Sequence, residues 1–162
     1  MPITLRPVTL DDLPLLVGGE SPYDDFGPRS ARTEPYAPAL HEPGGLAVCE
    51  GEELLGNVSW VWQRWGPNPP STNPMIGIWL RPSARGRGAG TRAQRLLVDL
   101  FFRHTPTHRV EAATDVDNTA EQRALERVGF VHEGTVRGAQ WRDGAYRDQR
   151  LYSILREEWQ PL

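Results

Sequence analysis

The sequence contains no lysine; all 18 of its basic residues are arginine. That absence excludes a Walker-type loop, whose lysine reaches the phosphates. It also excludes Schiff-base or pyridoxal chemistry, which needs a lysine amine. Glycine, proline and alanine are frequent, so the arginine excess reads as genomic base composition rather than function. Cysteine is nearly absent. The single copy, Cys49, has no partner for an internal disulfide, and a reducing cytoplasm is the expected setting. Cys49 lies in a strand-like run and reads as a packing residue rather than a nucleophile. No apolar run approaches the ~20 residues of a membrane helix. The opening MPITLRPVTLDDLPLL lacks a basic stretch followed by a long apolar one, so no signal peptide is expected. Histidine is sparse, and Pro106 separates His104 from His108, which keeps the two off a shared helical face. No metal site is expected. A net charge of -3 and a pI of about 5.8 argue against a general nucleic-acid binder.

What is present fits one globular domain over residues 1–162, with 38% hydrophobic and 24% charged residues. Ile3 to Pro7 reads as a short strand. A helix is expected after Thr9, its cap, with Asp11 and Asp12 in the first turn. Leu10, Leu13 and Leu16 fall on one face, and Gly18 is the stop. Residues 19–43 are rich in proline, glycine and acids and read as irregular, with one short helix around Arg29 to Ala39. Such a segment is either a substrate-facing loop or a connector. Leu46 to Cys49 and Leu54 to Trp65 predict a hairpin. Gly66 to Pro74 reads as a loop, and Met75 to Leu80 as the next strand. Leu96, Leu97, Leu100 and Phe101 recur at helical spacing. Arg109 to Val116 is a strand. A helix follows, with Asn118 as cap, Glu121 at the capping-box position and Gly129 as stop. A final hairpin turns at RDGA. The order predicts a mixed α/β domain whose unit from Met75 to Val116 is a parallel crossover.

The stretch RPSARGRGAGTRAQRLLVDLFF, from Arg81 to Phe102, joins a strand to a helix through three glycines. The first turn of a helix carries free N–H groups and partial positive charge, and glycine lets an anion approach the backbone. Arg85 and Arg87 add mobile positive charge. Residues Arg85 to Thr91 can therefore cradle a pyrophosphate; a tight turn needing glycine only for its dihedrals is the other reading. The spacing Gly86, Gly88, Gly90 does not meet the dinucleotide fingerprint.

The pattern that fits is R-x-x-G-x-G, with Arg85, Gly88 and Gly90. With it the sequence resembles the GNAT superfamily of acetyl-CoA-dependent N-acetyltransferases. The segment DVDNTAEQRALERVGFVHEGTVRG resembles that family's second half. DGAYRDQRLYSILREEW resembles the closing hairpin of its ribosomal-protein-alanine acetyltransferase branch. The resemblance implies the GNAT fold: a mostly antiparallel sheet with a splayed central parallel pair, flanked by helices. It also implies acetyl-CoA as co-substrate, in the gap between the strands at Met75 to Leu80 and Arg109 to Val116. Backbone groups of Ile78, Trp79 and Leu80 are then expected to hold the pantetheine amides. Arg85, Gly86, Arg87, Gly88, Ala89, Gly90 and Thr91 are expected to wrap the pyrophosphate, and Asn118 to bond the pantetheine arm while also capping its helix.

The implied reaction is direct attack of a primary amine on the thioester, without a covalent enzyme intermediate. A backbone N–H near Leu80 is placed to polarise the carbonyl. The sequence departs from the family where acids and bases are usual. Leu125 stands at the tyrosine position, Glu121 at the serine position of the branch, and Met75 where a glutamate is common. Glu111 is the remaining candidate base, with an outward-facing strand glutamate as the plainer alternative; Tyr152 is a weaker acid candidate. Trp60, Trp62, Trp65 and Trp79 are expected mostly in the core, with one or two available to an acceptor pocket or a homodimer surface. The acceptor is a protein N-terminus or a small amine. Glu20, Asp24, Asp25, Glu34 and Glu42 could attract a cation, or simply be solvated. Two other classes remain: an acyl-CoA-binding sensor or interaction module without efficient turnover, and a nucleotide-binding protein that uses only the glycine turn.

Overall fold

A computed structural model describes residues 1–162. One seven-stranded sheet organises the chain, in the order β1-β2-β3-β4-β5-β7-β6. The strands are β1 (Ile3–Pro7), β2 (Gly44–Glu50), β3 (Glu53–Arg64), β4 (Thr72–Leu80), β5 (Arg109–Asp115), β6 (Val131–Arg142) and β7 (Ala145–Leu155). Every neighbouring pair is antiparallel except β4 and β5, which are parallel and joined through helix α1 (Ala89–His104). Helix α2 (Thr119–Val128) links β5 to β6.

The apolar stripe of α1 seats Leu97, Val98, Phe101 and Phe102 against Trp60, Ile76 and Val110 of the sheet. Trp60 and Trp62 both meet Phe101 edge-on, with ring centroids 5.5 and 5.9 Å apart. A smaller cluster on the opposite face gathers Val8, Ala47, Cys49 and Leu54 under Leu13, Leu16 and Tyr36. Asn118 caps α2, its side chain accepting the Glu121 N–H at 3.3 Å, and Gly129 ends it with φ of 113°. Asp143 and Gly144 both adopt positive φ, which lets two residues close the β6–β7 hairpin.

Four expectations need correction. The first helix is a six-residue 3-10 turn, Leu10–Leu15, ending before Gly18 because Pro14 removes a donor inside it. Its buried residue is Asp12, bound to Arg6 at 2.7 and 2.8 Å, while Leu10 is exposed. Residues 29–39 form no helix, since Pro35 and Pro38 interrupt any helical ladder there. β4 begins at Thr72, three residues earlier than expected. β5 pairs with it only from Met75, so Pro74 sits where β4 has an open edge and no ladder bond is lost. Finally, Glu121 does not complete a capping box: its carboxyl turns to the side chain of buried Gln94 on α1.

Candidate functional site

β4 and β5 are in register at two pairs only, Met75 with Glu111 and Ile76 with Ala112. Beyond these the strands splay. Gly77 is exposed, and Ile78, Trp79 and Leu80 are half-buried, although β3 still pairs with all of them on the other side. The Arg81 N–H bonds to Leu55 O on β3, so by strand alternation Trp79 turns its backbone groups to β3 while Ile78 and Leu80 turn theirs to the gap, which an extended amide-bearing chain can enter as a strand would.

The glycine turn lies at the head of this gap. A short 3-10 turn, Pro82–Ala84, redirects the chain, and Arg85 is fixed by its Nε donating to Leu80 O at 2.9 Å. Gly86 and Gly88 have φ of 74° and 78°, and a Cβ built on either meets no atom within 4 Å. Gly88 caps α1, and a Cβ on Gly90 would stand 3.5 Å from Leu80 Cδ1 and 3.7 Å from Ile78 Cδ1, so the helix start faces these side chains of β4. The N–H groups from Gly86 to Thr91 find no carbonyl partner in the turn, whereas that of Arg92 bonds to Gly88 at 3.2 Å. Free donors, helix polarity and open glycines make an anion cradle, with exposed Arg87 beside it. The residues therefore fit a pyrophosphate joined to an extended amide arm. Asn118 stands at the far lip of the gap, just after β5.

Glu111 is fully buried, not an outward-facing strand residue. Its Oε1 accepts from Trp65 Nε1 at 2.5 Å and Arg109 Nε at 2.7 Å, while its Oε2 has no partner. Arg109 also grips Glu133 through two bonds of 2.5 and 2.6 Å, pulling that carboxyl down to about 2. Glu111 thus sits at the closed end of the gap, while the cradle and Asn118 lie toward its open end.

Burial pushes the Cys49 thiol up, which suits packing and opposes nucleophilic use. Tyr152 is fully buried, its phenol also raised by desolvation, with its hydroxyl 3.4 Å from Glu126. Of the tryptophans, Trp60 is core, Trp65 is exposed, and Trp79 donates to Asp24 Oδ2 at 2.8 Å. Sequence reasoning gives Glu121 only a capping-box role, reads residues 19–43 as loop or connector, and does not single out Arg142. Glu121 is raised to about 7 by desolvation beside Gln94. Arg142 is buried and ion-paired with Asp115. Residues 21–25 bond to Trp79 of β4 and to Asp117 just after β5. Only the long-range pairing of the hairpin tip with the first 30 residues could have exposed the last two, and no local pattern carries it. No group of three or more histidine, cysteine or acidic side chains could hold a metal ion, and no helix is long and apolar enough to cross a membrane.

The family model of the acetyltransferase (GNAT) domain matches residues 3–131. The chain belongs to the GNAT acetyltransferase family. A ribosomal-protein-serine acetyltransferase of Escherichia coli K12 is 28% identical over 119 residues, covering 72% of this chain and 64% of that protein. Mycobacterium smegmatis RimJ, solved with CoA-disulfide, superposes with a TM-score of 0.65 at 28% identity, covering 72% of this chain and 55% of that one. A candidate acetyltransferase from T. thermophilus reaches a TM-score of 0.76 at 28% identity, covering 98% and 88%. The chain spans about half the length of the curated relatives it matches. In this GNAT domain the sheet is mostly antiparallel with one parallel pair, β4 and β5, as the sequence resemblance implied.

Proposed function

We propose that this GNAT domain transfers an acetyl group from acetyl-CoA to a primary amine. The observation that carries the reading is the gap beyond Ile76 and Ala112, which runs from an anion cradle into the sheet. Acetyl-CoA supplies an activated thioester carbonyl. The N–H groups of Gly86 to Thr91 bind the pyrophosphate, with Arg85 and Arg87 screening its charge. The gap-facing backbone of Ile78 and Leu80, around Trp79, orients the amide arm, and Asn118 holds it from the other lip. A backbone N–H near Leu80 polarises the carbonyl. Glu111 stands opposite Met75, about 16 Å along β4 from Leu80, with Oε2 buried, so it takes the amine's proton through intervening water, while the departing CoA thiolate is protonated from solvent. Trp65 and Arg109 hold that carboxylate in place through Oε1.

The acceptor is a protein amine such as an N-terminus, in line with the ribosomal-protein substrate that the Escherichia coli relative's name gives for that protein, or a small amine. The work is done in the cytoplasm. A specific observation favours a second reading, an acyl-CoA-binding module without efficient turnover: Leu125, at the position of the family's tyrosine acid, is fully buried and apolar. The two readings separate in one assay. The protein is incubated with acetyl-CoA and a panel of alanine-, serine- and threonine-starting peptides and diamines, with free thiol followed optically. Acetylated product with amine-dependent thiol release is expected. Binding without release across the panel supports the module instead.

A further inference from the structure

On the face of the sheet opposite α1, a five-residue segment lies across the mouth of the gap. The Ile78 and Leu80 side chains lie toward Gly90 of α1 on one face; Trp79, the residue between them, points to the other. There its indole N–H donates to Asp24 Oδ2 at 2.8 Å, and the Ser21 N–H donates to Asp24 Oδ1 at 3.1 Å. The same segment reaches the opposite lip. The Tyr23 hydroxyl donates to Asp117 O at 3.2 Å, just past β5. Arg142 Nη1 donates to Pro22 O at 2.5 Å, and the Asp143 N–H to Asp25 O at 3.0 Å. Arg142 is itself ion-paired with Asp115, the last residue of β5. Residues 21–25 therefore bond to β4, to the loop just after β5 and to the hairpin tip at once.

The two sides of this strap are held unequally. On the hairpin side the buried Arg142 side chain and the Asp143 N–H donate to two strap carbonyls, Pro22 O and Asp25 O. On the β4 side stands one side-chain bond, Trp79 to Asp24, at a half-buried indole. Gly19 and Gly27 bracket the strap at φ of 97° and 87°, with nothing within 4 Å of a Cβ at either. Such residues absorb a hinge rotation that other side chains resist. A cavity of about 720 Å³ beside the strap, bordered by Gly18, Asp24, Arg29 and Tyr36, leaves it room to swing.

We propose that residues 21–25 form a gate over the acceptor side of the gap, with Trp79–Asp24 as the latch that opens and Arg142 as the fixed post. This rests on the acetyl-transfer reading for what passes beneath the gate, but the gate itself is a property of the free protein. An amine arriving from this face reaches the thioester end of the gap only when the latch is released. Asp24 is thus a positioning residue that controls access.

The test uses Asp24→Ala, which removes the acceptor for both Trp79 and Ser21, and hydrogen exchange of the full chain without ligand. Loss of these bonds to a charged acceptor is expected to speed exchange in residues 20–26 about tenfold, with residues 86–91 unchanged. Acetyl-CoA affinity by calorimetry should stay within twofold of the parent. Hydroxylamine, a small nucleophile, should then cleave the bound thioester faster in the variant than in the parent. Unchanged exchange in residues 20–26 overturns the gate, as does equal hydroxylamine cleavage in the two proteins. Loss of acetyl-CoA affinity in the variant would assign the segment to the donor site instead. Failure of both proteins to bind acetyl-CoA sinks the acetyl-transfer reading, while the exchange result still decides whether Asp24 latches the segment.

Discussion

Arg142 and Asp115 form an ion pair across 27 residues of sequence, and both side chains are buried. The pair ties the β6–β7 hairpin to the end of β5, one lip of the gap. A charge removed from such a pair leaves its partner buried and alone, which typically costs about 3–5 kcal/mol. Arg142→Ala is therefore expected to lower unfolding free energy by that order in urea denaturation, with Arg142→Lys intermediate. A loss below about 0.5 kcal/mol would mean the pair is solvated and does not fix the lip.

Glu121 sets a pH dependence. Desolvation between α1 and α2 raises its carboxyl to about 7, from an ordinary value of 4.5. The folded state therefore holds this proton more tightly than the unfolded state does. Stability from this group is fully present below pH 4.5 and is lost as pH rises through about 7. Glu121→Gln removes the loss, so the variant should gain about 1–3 kcal/mol over the parent at pH 8 and little at pH 4.5. Thermal melts across that range check the sign; a gain at low pH alone contradicts it.

Asn118 has two duties that can be separated. As the cap of α2 it accepts the Glu121 N–H, and Asn118→Ala should cost about 1 kcal/mol of stability. As a partner of the pantetheine arm it should also matter for binding. Asn118→Ser keeps a capping oxygen and should restore the stability while leaving acetyl-CoA affinity reduced. Full recovery of both would make Asn118 a cap alone.

Cys49 is buried with a raised thiol pKa, and no step of the proposed reaction uses it. A disulfide reagent should label the folded protein far more slowly than the urea-unfolded chain. Cys49→Ala should retain acetyl-CoA binding and turnover. Rapid labelling of the native thiol would show that the strand face is open.

Much of the fold can be read locally. The stripe of Leu97 and Phe101 marks α1, Asn118 and Gly129 bracket α2, and Asp143-Gly144 closes the last hairpin. The turn from Arg85 to Thr91 is equally plain, because free N–H groups and positive-φ glycines are backbone requirements written in residue type. Other features depend on distant partners. Pro74 reads as a loop residue until β5 is known to start its pairing at Met75. The leucines near Thr9 suggest a helix, but Arg6 claims Asp12 and Pro14 breaks the ladder. Glu121 reads as a capping-box residue until Gln94 is found across from it. The burial of Glu111 depends on Arg109, Trp65 and Glu133, which come from three separate strands or loops.

The central claim is that the glycine turn holds the diphosphate end of acetyl-CoA. Gly88→Val tests it most directly, because the new side chain occupies space that is open in the protein and forces a strained φ of 78°. Calorimetric titration with acetyl-CoA should give saturable binding near one per chain for the parent. The folded variant should lose at least about tenfold in affinity, through the blocked cradle and the strained turn. No heat at millimolar acetyl-CoA for the parent, or equal affinity for parent and variant, would contradict the account.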